Sequence, residues 1–110
     1  MTPLARSILK GLAAETDRLL ALDRNDFATW PADWKIALSD LPKLGVKLDL
    51  QSWSGQPLYP THRQRCRRTL LQLEAAGLVK LNAKWGGRVT HAKLTKAGEA
   101  AARSLETHRD

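Results

Sequence analysis

Cysteine is almost absent from this sequence: Cys66 stands alone, so one copy of the chain cannot form an internal disulfide. The three histidines, His62, His91 and His108, lie far apart and give no metal-ligand spacing. Cysteine–histidine pairing of a catalytic kind, a glycine-rich phosphate loop and an HExxH-like element are missing too, so neither a catalytic group nor a cofactor is expected. Cys66 falls on the apolar side of its segment and reads as a small buried hydrophobe. No apolar run approaches the roughly 20 residues that cross a bilayer, and the start does not resemble a secretion signal, so a cytoplasmic location without membrane contact is expected. Stability is left to packing, in a chain of 110 residues that has room for one domain.

Acidic residues are scarce over one stretch, and that scarcity locates the formal charge of +7. Residues 1–53 are neutral, with Arg6, Lys10, Arg18, Arg24, Lys35, Lys43 and Lys47 balanced by Glu15, Asp17, Asp23, Asp26, Asp33, Asp40 and Asp49. Residues 54–93 hold Arg63, Arg65, Arg67, Arg68, Lys80, Lys84, Arg88 and Lys93 against Glu74 alone, and residues 94–110 balance again. A basic block between neutral segments is the pattern of a polyanion-binding surface, because each neutralised phosphate releases condensed counterions.

Leu4, Ile8, Leu12, Leu19 and Leu22 recur at helical spacing, apart from one wider gap, and predict an amphipathic helix over residues 2–24. Thr2 and Pro3 suit its cap and first turn, and Asn25-Asp26 its end. Trp30 and Trp34, four apart around Pro31, read as core aromatics on one side of a short helix. Pro42 and Gly45 imply a break, while Val46, Leu48, Leu50 and Trp53 fit either a strand or a helix.

The next segment carries the strongest signal. Thr61 is suited to cap a helix that runs without glycine or proline to Gly77, a natural stop. Cys66, Leu70 and Leu73 would share its inner face, and Thr61, Gln64, Arg65, Arg68 and Gln72 the outer one. Every member of the outer set can hydrogen-bond a base edge or a phosphate, with arginine suited to guanine and glutamine to adenine. His62, Arg63 and Arg67 flank that row and suit backbone contacts. Beyond Gly77, two strand-like runs enclose Lys84-Trp85-Gly86-Gly87-Arg88, a hairpin whose tip carries two cations and one large ring.

The arginine-rich helix ending in "LEAAGLV", the hairpin with its Gly-Gly tip and the following "LTKAGEAAARSL" resemble winged helix-turn-helix transcriptional regulators of the MarR-like and PadR-like kind, over about residues 58–105. The resemblance implies a mainly α fold with a small antiparallel β-hairpin. The single domain would comprise an N-terminal helix (1–25), a helical and turn region (31–57), a recognition helix (61–76), a wing (78–94) and a C-terminal helix (95–107). It implies double-stranded DNA as the partner, read by Thr61, His62, Arg63, Gln64, Arg65, Arg67, Arg68 and Gln72 and touched by Lys84, Trp85 and Arg88 of the wing. Size and helix count add the expectation of a homodimer through the N- and/or C-terminal helices. Residues 26–57 match the family pattern poorly, and no effector pocket is evident. Two other readings compete: a protein-interaction or architectural module, and RNA or single-strand binding, which requires Trp53 and Trp85 to be exposed.

Overall fold

The computed structural model describes residues 1–107, the last two by their backbone; His108 lies outside the described residues. The elements run α1 (Pro3–Leu20), a 3-10 helix (Arg24–Thr29), α2 (Ala32–Asp40), β1 (Val46–Lys47), α3 (Leu50–Ser54), α4 (Pro60–Ala75), β2 (Val79–Asn82), β3 (His91–Leu94) and α5 (Lys96–Thr107). The fold is mainly helical with one small antiparallel sheet.

Thr2 caps α1 as its sequence position suggests, its hydroxyl accepting from the Ala5 amide at 3.1 Å. The helix ends at Leu20, earlier than the predicted residue 24, and a local hydrogen bond accounts for the difference. Asp23 accepts from the Asn25 amide at 2.9 Å, an alternative backbone arrangement that leads into the 3-10 helix. The apolar stripe of α1 forms the centre of the core, with Ile8, Leu9 and Leu12 wholly buried. It packs against α3, α4 and α5, joined by Cys66, Leu70 and Leu73 of α4 and by Ala102 of α5.

The ambiguous stretch at 46–53 resolves into both alternatives in turn: β1 first, then α3. Its strand enlarges the expected hairpin to three strands in the order β1-β3-β2. Val46 pairs with Ala92 and Lys47 with His91, while Val79 pairs with Leu94 and Asn82 with His91. Trp53 of α3 lies against Gly11 of α1 and is half-buried. Trp30 and Trp34 do not share a helix: Trp30 precedes α2 and is buried, and Trp34 is 38% exposed, meeting it edge-on at 6.3 Å.

The start of α4 also differs from expectation. Pro60 occupies the first turn, where its missing N–H costs nothing, and Tyr59 is the capping position without a side-chain bond. Thr61 therefore lies inside the helix, exposed. At the other end Gly77 adopts a φ of 78°, and the Leu78 amide donates back to the Leu73 carbonyl at 3.0 Å. Thr95 ties this corner to α5: its amide donates to Leu78 O at 3.1 Å, its hydroxyl to Gly77 O at 2.6 Å, and it accepts from the Gly98 amide at 3.0 Å.

Candidate nucleic-acid interface

The buried face of α4 is Cys66, Thr69, Leu70 and Leu73, so helical geometry turns its arginines outward. Thr61, Arg63, Gln64, Arg65, Arg67, Arg68 and Gln72 are all exposed. Their neighbours divide them more finely than the sequence did. Arg63, Gln64, Arg67 and Arg68 border an open groove of about 780 Å3 whose far wall includes Arg88 and Val89 after β2. Arg65, Arg68 and Gln72 border a second open hollow, lined also by residues 2–4 at the start of α1. Arg68 borders both hollows and so lies on the central ridge, which helical spacing makes Gln64 share; Arg63 and Arg67 are on the side of the hairpin and Arg65 and Gln72 on the other.

Among the described residues the ion pairs are Arg18–Glu15 and Lys84–Asp40, with His91 Nε2 also 3.6 Å from Asp40, a pair that becomes ionic only when the imidazole is protonated. None involves an arginine of α4 or Arg88. Glu74, the single carboxylate of the basic block, accepts from the Leu81 amide at 2.9 Å and so serves the edge of β2. Four guanidiniums crowded on one helix repel one another, a cost that a dense anion would relieve.

Two members of the predicted set are engaged within the fold instead. His62 is turned inward and half-buried: its Nε2 lies 2.9 Å from Ser54 Oγ and 3.6 Å from Cys66 Sγ. Burial pushes the Cys66 thiol up from its ordinary value, which keeps it protonated at neutral pH; Ser54 and Arg65 act the other way. Lys84 does not project from the hairpin tip, because its ammonium meets Asp40 of α2 at 2.7 Å. Trp85 and Arg88 remain exposed, Trp85 at 82%.

Sequence reasoning missed Leu71 and Asp40. Leu71 is 58% exposed on the ridge of Gln64 and Arg68, three residues after Arg68, and the same helical spacing could have exposed it. Asp40 has no local signal, since its partners are distant in the chain. Replacing it with alanine strands Lys84 beside a buried histidine, and because the pair keeps partial contact with water the expected cost is about 2 kcal/mol, short of that for a fully buried pair. Urea unfolding measures it, and an unchanged midpoint would show that the Lys84–Asp40 pair does not stabilise the fold.

His91 is 5% exposed, with Nδ1 2.7 Å from Thr90 Oγ1 and Nε2 3.6 Å from Asp40. Burial holds its pKa below the ordinary 6.5; Asp40 opposes this, and Lys84 and Lys47 reinforce it. The unfolded chain therefore binds a proton more readily than the folded one below pH 6.5, and stability is lost as pH falls through that range. The thermal midpoint should drop between pH 7.5 and 5, by less in His91→Gln than in the wild type. Equal pH profiles for the two proteins would contradict this assignment.

Comparison of the chain with protein-family models, with curated proteins and with solved structures finds no match.

Proposed function

We propose that the chain is a winged helix-turn-helix protein that binds double-stranded DNA sequence-specifically, with α4 as the recognition helix and the β2–β3 hairpin as the wing. The observation that carries this reading is the row of exposed arginines, Arg63, Arg65, Arg67, Arg68 and Arg88, none in an ion pair with a carboxylate among the described residues. The element order supports it: β1, two helices and a hairpin whose second strand pairs with β1 suit a motif that offers its second helix to the major groove. Gln64, Arg68 and Leu71 form a ridge able to meet adenine, guanine and a thymine methyl respectively. Arg63, Arg67 and Arg88 border the groove and take phosphates.

The protein would act in the cytoplasm as a regulator of transcription or replication. No described helix is long and apolar enough to cross a membrane, in keeping with that location. It would act as a homodimer, because one such module offers a small interface and two half-sites a helical turn apart multiply affinity and specificity. Contacts between copies would use α1 and/or α5. RNA or single-strand binding retains support from Trp85 but loses Trp53, which packs beside Gly11.

Fluorescence anisotropy with a labelled duplex and its separate strands tests the reading. Duplex binding should be preferred and weaken steeply with salt, with a log–log slope per protomer near −4.5 if all five arginines meet phosphates, and shallower as more of them read bases. Preference for the single strands would overturn it.

A further inference from the structure

We propose, resting on the duplex-binding reading above, that Trp85 is a wedge: its indole enters the minor groove, stacks at a flexible base step and bends the duplex. Trp85 contributes little to the folded chain, since 82% of its surface is exposed. Its ring is met by the Lys84 ammonium at 5.3 Å, and that ammonium is held by Asp40 at 2.7 Å. A large apolar ring is therefore presented to solvent from a fixed neighbour.

The base of the hairpin holds the ring out on a firm stalk. The Thr90 amide donates to Asn82 O at 3.0 Å, the Lys84 amide to Thr90 Oγ1 at 3.0 Å, and the Asn82 side chain to Leu44 O at 3.0 Å. Beyond the indole the chain narrows. Gly86 and Gly87 both take a φ of 76°, and apart from the adjoining residues no atom comes within 4 Å of where a Cβ would stand. A slim tip of this kind can follow its aromatic residue into a groove about 6 Å wide, which a branched loop could not. Arg88 is exposed just after the glycines, one cation for a phosphate beside the entry point.

The chemistry of the tip favours bases over other partners. Apolar side chains inserted between base steps partly unstack them and kink the duplex, and the bend brings more of the protein surface against the backbone. Pyrimidine–purine steps resist this least. The wing then contributes sequence preference through deformability, at positions that α4 does not touch.

The test uses the full chain and a mixed-sequence duplex that contains TA and CA/TG steps, with 2-aminopurine at those steps and a fluorophore pair at the ends. The wild type should brighten the 2-aminopurine at one step and shorten the end-to-end distance. Trp85→Ala should lose both signals and about tenfold in affinity while keeping the salt slope, because stacking neutralises no phosphate. Trp85→Phe should restore most of each. Exposure of the residue makes a folding defect a poor explanation for the loss, and matching thermal midpoints of the three proteins establish that. Binding by Trp85→Ala with undiminished affinity and bending would overturn the wedge alone. A fall in salt slope with no 2-aminopurine signal in the wild type would do the same, reducing the tip to a phosphate contact. Absence of duplex binding by the wild type would overturn the underlying reading, and the wedge with it.

Discussion

Replacing Arg63, Arg67 and Arg68 together with alanine should weaken duplex binding about a thousandfold at moderate salt and leave the fold intact. Each lost phosphate contact flattens the log–log salt slope by about 0.9, and each lost base contact removes on the order of 1–3 kcal/mol of discrimination. None of the three guanidiniums is in an ion pair among the described residues, so their removal should change stability by less than about 0.5 kcal/mol. The single replacement Arg68→Lys separates the two kinds of contact. Lysine keeps the charge but not the planar fork, so the slope should hold while preference for a cognate site falls. Anisotropy titrations at several salt concentrations, with unfolding curves alongside, measure all of this. Undiminished binding by the triple variant would show that the basic face of α4 is a solvated surface.

A second large effect concerns stability. Gly98 lies in the first turn of α5, where a Cβ would run into the carbonyl of Leu78 and press on the Leu94 side chain. That carbonyl cannot step aside freely, because it accepts from the Thr95 amide at 3.1 Å. Gly98→Ala should therefore cost about 3 kcal/mol, in spite of alanine's better helix propensity, since relief requires α5 to move off the base of the hairpin. For a domain of this size the thermal midpoint would fall by roughly 12 °C. Calorimetry decides it: a midpoint unchanged or raised would mean that α5 adjusts without strain. The same close approach gives a physical reason for glycine in the "LTKAGE" stretch, where composition alone offered none.

The parts of the fold that follow from local periodicity were legible in the sequence. The apolar faces of α1 and α4, the stop at Gly77 and the existence of a hairpin after it each arise from neighbours close in the chain, though the strands are shorter than the strand-like runs at 77–82 and 88–94. What depended on distant pairing was not. Whether Val46 and Lys47 are strand or helix is decided by Ala92 and His91, which offer them an edge to pair with. The fate of Lys84 is decided by Asp40, and that of His62 by Ser54 and Cys66. In the candidate site, charge and helical spacing were enough to find the arginine row. They could not separate cations that face solvent from those engaged by partners elsewhere in the chain, because that distinction belongs to tertiary contacts.

The central claim is that this surface reads sequence in double-stranded DNA. Its most direct test is selection of the purified protein on a pool of random duplexes, followed by sequencing, at two salt concentrations and with single-stranded competitor present. Enrichment of one motif that persists at the higher salt is the expected result, with two related halves if the protein acts as a dimer. Tight binding at low salt that enriches no motif and vanishes at higher salt would contradict the claim, leaving a basic surface without sequence preference.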